Sequence, residues 1–272
     1  MGRAHEVRAK KMAATNAAKS ALYNRASKEI YLAAKSGVPD PQSNLSLRAA
    51  IEKFKGQGVT RDVIDRAIQK AKGGDSTTYV SGRYEGFGPG SVAIIVDTLA
   101  DNDKRAFANV RAVFTHKGGH IGNTGSVMFL FKECGVFKFE FCKPAVMDEK
   151  KKKVIEEAQA YSPEEISAKK DEIEMALMDA NIDETTTYND ADWTVEVTVD
   201  KKDFSAAHDV LNKLGYTEFL KSEICWVPNE KKHVEGEDRQ KLINFVNALN
   251  EIEDVQNVYT DADFDPNNEP AD

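Results

Sequence analysis

The apolar period of this chain changes at Gly73-Gly74, from helical spacing before it to strand alternation after it, so one uniform architecture cannot serve both parts. Ahead of the break, Leu22, Ala26, Ile30 and Ala33 form the stripe of a helix that stops near Gly37, before Pro39 and Pro41. Leu47, Ala50, Ile51 and Phe54 mark a second helix. Val63, Ile64, Ala67, Ile68 and Ala71 mark a third, with Thr60 placed to cap it and Gly73-Gly74 to end it. Three short helices are expected. Residues 2–19 differ: Val7 and Met12 are their only large apolar side chains, and Arg3, Arg8, Lys10, Lys11 and Lys19 face a single acid, Glu6. With so little to bury, this arm is expected to be mobile alone and to order on a partner.

Beyond the break, Tyr84 and the glycine turn Gly86-Phe87-Gly88-Pro89-Gly90 lead into a core strand, Ser91 to Asp97. A helix over Arg105 to Thr115, the glycines 118, 119 and 122, and a strand Ser126 to Phe131 follow. From Gly135 the pattern restarts with strand Val136 to Phe141, a helix carrying Ile173, Ala176, Leu177 and Ala180, and strand Thr194 to Val199. A helix with Phe204, Ala207, Val210, Leu211 and Leu214 and a strand Glu223 to Val227 complete a split β-α-β pattern. The Lys150–Lys170 stretch reads as an inserted, solvent-facing helix. The last helix, with Leu242, Phe245, Val246, Leu249 and Ile252, and the strand Val255 to Tyr259 have nothing left to pair with, so they are expected to return to the middle sheet. The fold class is therefore α+β: an N-terminal three-helix domain (1–77), then two ferredoxin-like α/β sandwiches, one inserted in the other. The middle domain takes 78–132 plus 229–260 and the acidic inserted domain 133–228, with a disordered acidic tail at 261–272.

Charge is segregated along with the period. Through Lys72 the formal net charge is +9 and after it −17, within a total of −8. Cations concentrated on one folded unit point to a polyanion, because they release counterions from a phosphate backbone. The longest wholly aliphatic run, Val92 to Val96, is far below the roughly 20 residues that span a bilayer. No apolar leader or myristoylation signal is present, so secretion and membrane anchoring are not expected, and the chain reads as cytoplasmic. Cys134, Cys142 and Cys225 lack any Cys-x-x-Cys pair and read as reduced, buried thiols. His116 and His120 flank Gly118-Gly119, which makes a helical pair of metal ligands improbable. No metal, cofactor or small-molecule substrate is expected.

The first phosphate-contact candidates are Arg3, His5, Arg8, Lys10, Lys11, Lys19, Arg25 and Lys28. A second group, Arg83, Lys104, Arg105, Arg111, His116 and Lys117, gathers around the middle helix and its glycine-rich exit, where backbone amides could also meet phosphate. Asp101 and Asn102 read as capping residues. Tyr84 and Phe87 could stack on a base, although packing beside the core strand suits them better. An acid/base cluster of Glu85, Asp97, Asp101 and His120 is the weaker, enzymatic alternative, since no nucleophile elbow, metal triad or nucleotide fingerprint accompanies it. A protein adaptor using the acidic third domain is a further alternative.

The run Arg83-Tyr84-Glu85-Gly86-Phe87-Gly88-Pro89 resembles the YebC/PmpR family. So do Leu99-Ala100-Asp101-Asn102-Asp103-Lys104-Arg105, Asn109-Val110-Arg111, Lys117-Gly118-Gly119 and Gly125-Ser126-Val127, all in the family's order. In the helical domain, Val38-Pro39-Asp40-Pro41, Asn44, Leu47-Arg48 and Ala50-Ile51 resemble its Asp-Pro turn and following helix. The resemblance implies a three-domain, cytoplasmic protein with no known catalytic activity, and a monomer is expected. It further implies either a ribosome-associated translation factor that relieves stalling at proline-rich stretches or a regulator of transcription on promoter DNA. A flexible basic arm and loop-borne cations suit irregular rRNA, which favours the ribosome. The chain departs from the common Gly-His-Ser-Lys-Trp opening with Gly2-Arg3-Ala4-His5-Glu6, closer to a paralogous subgroup that begins Met-Gly-Arg, so no role is carried over from that Trp.

Overall fold

The computed structural model describes residues 2–73, 78–143, 146–148, 153–156 and 159–267; within them, side chains are described from Lys19 onward, except for Leu45, Lys143, 146–148 and 153–156. Contacts divide the chain into two units, Met1–Lys132 with Trp226–Asp272, and Glu133–Cys225.

The first unit opens with α1 (Gly2–Lys35), α2 (Leu45–Gly56) and α3 (Arg61–Lys72). The helical periods converge on one core of Ala26, Ile30, Leu47, Phe54, Ile64, Ala67 and Ile68. The basic arm is helix, not loose chain: it is continuous with the packed part of α1, so the first helix is 34 residues long rather than short. Propagating an existing helix adds one hydrogen bond per residue fixed, without a new nucleation cost, which lets a sequence poor in apolar residues continue it. Asn44 joins α1 to α2. Its side-chain oxygen accepts the Leu47 N–H, and its amide donates to the carbonyls of Ala33 at 2.8 Å and Val38 at 3.1 Å. Thr60 occupies the cap position of α3 with extended backbone, but its hydroxyl makes no capping bond.

The sheet of this unit contains β1 (Val80–Phe87), β2 (Ala93–Ala100), β3 (His120–Ile121) and β12 (Val255–Thr260), in the order β12-β2-β1-β3 with every pairing antiparallel. The helices α4 (Asp103–His116) and α7 (Gly236–Asn250) cover one face. β2 is buried on both sides. Ile94 and Val96 face Val110, Phe114, Phe245 and Leu249, whereas Ala93 and Ile95 meet Val127, Phe131, Phe87 and Trp226. This double burial explains its unbroken aliphatic run, where a half-exposed strand would alternate. Phe114 and Phe245 meet edge to face at 4.9 Å, linking the two helices across the core.

The expected strand Ser126 to Phe131 is not formed. Residues 122–130 make a loop ending in a single 3-10 turn at Met128–Leu130, and the third strand is the short β3. The tail expectation also changes: Ala93 N–H donates to Asp261 at 2.9 Å, Ala262 is buried, and Asn267 donates to Val258. Residues 268–272 lie outside the described residues.

The second unit contains β4 (Phe131–Glu140), which starts just before it, then β5 (Cys142–Lys143), β6 (Val146–Asp148), β7 (Lys153–Glu156), β8 (Gln159–Ala160), α5 (Pro163–Asp179), β9 (Glu184–Asn189), β10 (Thr194–Asp200), α6 (Phe204–Lys213) and β11 (Lys221–Pro228), which ends just beyond it. Its sheet order, β11-β4-β10-β9, is the split β-α-β arrangement. Phe137, Phe139, Phe141, Val195 and Val197 pack beneath Ile173, Leu177, Ala207 and Leu211. The described parts of 142–160 are short paired strands, β5 with β8 and β6 with β7, rather than an inserted helix. The helix begins only at Pro163, where Ser162 and Glu165 form a reciprocal capping box.

Candidate nucleic-acid interface

The glycine-rich exit of α4 is built around one carboxylate. Glu85 of β1 is buried, and it accepts the N–H groups of Gly125 at 2.6 Å, Val127 at 2.9 Å and Met128 at 3.0 Å. Burial pushes this carboxyl up, but the three amides and nearby Arg83 outweigh it and hold it below the usual carboxylate range. These amides serve a side chain instead of a strand ladder, which is why Ser126 to Phe131 is not a strand. The Gly119 N–H donates to Phe114 and the Gly122 N–H to Glu85, so these loop amides are also spent inside the molecule rather than offered to phosphate. Gly86 is required by space, since a Cβ there would lie 2.4 Å from the His120 carbonyl.

The expected cations separate into two groups. Lys28 is only 8% exposed, and it donates to Asp254 at 2.9 Å and to the Glu253 carbonyl at 3.1 Å. Arg105 reaches the same Asp254 at 3.0 Å and also Asp101 at 2.6 Å. The hydrogen bond to Asp254, followed by that to Asp101, raises the Arg105 pKa. Asp254, 2% exposed, is therefore held between cations from α1 and α4. Arg25 donates to the Asn250 carbonyl at 2.7 Å and to its side chain at 3.0 Å, and burial lowers its pKa. Arg83 pairs with Asp97 at 2.6 Å and lies over the Trp226 ring at 4.7 Å. Arg25, Lys28, Arg83 and Arg105 thus tie elements together.

Lys19, Lys104, Arg111, His116 and Lys117 remain exposed. Lys104 and Arg111 stand three residues before and four after Phe107 on α4, neighbouring positions on a helix surface. Phe107 itself is 38% exposed and leans on Tyr84 with ring centroids 5.5 Å apart. Sequence reading missed Phe107, whose place in a helical run gives no sign that one edge stays open. It also missed Arg66, exposed on α3. Arg3, His5, Arg8, Lys10 and Lys11 lie on the backbone of α1, and their side chains are outside the described residues.

The members of the acid/base alternative have structural partners: Glu85 the loop amides, Asp97 Arg83, Asp101 Arg105, and His120 the Phe87 ring at 5.3 Å. Asn102 caps α4 by accepting the Arg105 N–H. Cys134, Cys142 and Cys225 form no disulfide, and burial pushes the Cys225 thiol up to about 11. Among the described residues no helix is long and apolar enough to cross a membrane.

Comparison with known proteins covers nearly the whole chain. Residues 3–74 match the model described as the TACO1/YebC protein N-terminal domain, and residues 79–262 match the TACO1/YebC second and third domain. The chain is 43% identical to a probable transcriptional regulatory protein of Mesoplasma florum, over 96% of this chain and 99% of that one. It is 39% identical to another so named from Pseudoalteromonas translucida, over 97% of this chain and all of that one. Among solved structures it is similar to a conserved hypothetical protein of Aquifex aeolicus, with a TM-score of 0.69 and 28% identity, covering 90% of each chain. The chain belongs to the TACO1/YebC family.

Proposed function

We propose that this protein is a cytoplasmic, monomeric, nucleic-acid-binding regulator of gene expression that acts on translating ribosomes and relieves stalling at proline-rich stretches. The observation that carries the reading is the division of its cations: Lys19, Lys104, Arg111, His116 and Lys117 stay at the surface while their neighbours are consumed in internal ties. On α4 the free cations flank an exposed aromatic edge, a combination that meets both the phosphates and the unstacked bases of irregular RNA. The basic residues of α1 extend the same chemistry along the first helix.

A second reading, a regulator of transcription on promoter DNA, draws on the description of the relatives as probable transcriptional regulatory proteins. Co-sedimentation with ribosomes over a salt series, with duplex DNA as competitor, separates the two. Saturable binding that the duplex does not displace supports action on ribosomes. Transfer of the protein to the duplex supports transcription.

A further inference from the structure

A groove of about 460 Å³ runs between α1 and α3. Its walls are Lys19, Ser20, Tyr23, Asn24 and Ser27 from α1 and Val63 and Arg66 from α3. Among the described residues the lining holds two cations and no carboxylate. Lys19 sits over the Tyr23 ring, its nitrogen 5.6 Å from the centroid, while Arg66 is exposed on the facing helix. The side chains of Ser20, Asn24 and Ser27 make no hydrogen bond among the described residues. The groove thus combines positive charge, one aromatic face, an apolar wall at Val63, and unpaired donors and acceptors, at the volume of a small-ligand cleft.

We propose that this groove seats one unstacked nucleotide of a single-stranded nucleic acid, with its phosphate between Lys19 and Arg66 and its base on Tyr23. The inference rests on the nucleic-acid reading above and assigns it a specific seat. Two cations from different helices suit a phosphate, and Tyr23 supplies the π-face on which any base stacks. Ser20, Asn24 and Ser27 supply bonds to base edge or ribose. A duplex fits less well, because its bases are already stacked and paired and leave Tyr23 no free face. RNA and single-stranded DNA share this chemistry, and they differ at the ribose hydroxyl.

The test uses the full chain with a short oligouridylate containing 4-thiouridine, the oligodeoxyuridylate of equal length, and duplex DNA. Photo-cross-links are mapped by mass spectrometry, and affinity is measured across salt. A cross-link within Ser20–Ser27 or at Val63–Arg66 is expected. Arg66→Gln should weaken binding several-fold and reduce the salt slope by about 0.7, one phosphate on a single strand. Tyr23→Leu should weaken it by about tenfold, whereas Tyr23→Phe should not. Because Tyr23 packs partly on the helical core, the exposed Arg66 variant carries the test if Tyr23→Leu fails to fold. Tighter binding of the ribo- than the deoxyribo-strand identifies RNA as the source; equal binding leaves either strand as the occupant. An unchanged affinity for Arg66→Gln, absence of a groove cross-link, or loss of that cross-link to competing duplex DNA each overturns the seat while the general reading stands. Failure of the intact protein to bind ribosomes or any nucleic acid overturns both.

Discussion

Glu85 is the single side chain on which the form of the glycine loop depends. Its Gln variant keeps the shape but loses the charge that three amides address, and should cost about 2 kcal/mol or more, read from denaturant midpoints. The folded pKa is depressed, so this stabilisation is fully present above the ordinary value of 4.5 and is lost as pH falls through the folded value. Glu85→Gln should flatten that acid limb of the stability curve; an unchanged limb would mean that the charge is not what the loop needs. Asp254 is a harsher case, because Asp254→Ala leaves Lys28 buried without its carboxylate. A loss of roughly 3 kcal/mol or more is expected, by the same denaturation measurement. None of this was legible in the sequence. Glu85 could be listed among acids near a strand end, but its partners lie 40 residues or more along the chain. Lys28 likewise looked like any other cation on a basic helix, because Asp254 lies 226 residues away.

Elements with a strong period were readable, and elements shaped by a distant partner were not. α2, α3 and α7 were marked by apolar stripes, β2 by its aliphatic run, and β10 by the alternation of Val195, Val197 and Val199. β9 was missed. Half of its run Glu184 to Asn189 is Thr, whose branched side chains favour an edge strand without an apolar pattern to announce it. The segment around 231–235 is held to the tail after β12 by a similar long-range tie. His233 Nδ1 meets Asp263, while Lys232 N–H donates to the Asp261 carbonyl. The bond to Asp263, then that to Glu235, raises the His233 pKa above 6.5, and the bond to His233 lowers that of Asp263. The histidine's contribution is therefore complete below 6.5 and is lost as pH rises through its folded pKa; that of Asp263 is lost on acidification through its own lowered value. An NMR titration should place the His233 midpoint above 6.5, and Asp263→Asn should bring it down; equal midpoints in the two proteins would contradict the clamp.

At the scale of the whole molecule, chain continuity and spatial organisation diverge. The 93 residues of the second unit interrupt the first, and α7 and β12 return beyond them to finish its sheet. The sequence carried this as an unpaired helix and strand at its end, and a sheet with too few helices in its middle. Deleting residues 238–260 should strip Ile94 and Val96 of Phe245, Leu249 and Val258 and abolish slow hydrogen exchange in β2. Retained protection there would refute the packing. The proposed interface was legible only as a surplus of charge, because periodicity does not tell which cations lie beside an acid from elsewhere in the chain. The most direct measurement is therefore the salt dependence of ribosome binding for the intact protein and for Lys104→Ala/Arg111→Ala, at matched stability. The double variant is expected to keep its unfolding free energy within about 0.5 kcal/mol and to lose about 1.5 from its salt slope. An unchanged slope with both cations gone would contradict the proposal, because Lys104 and Arg111 would then carry no phosphate contact.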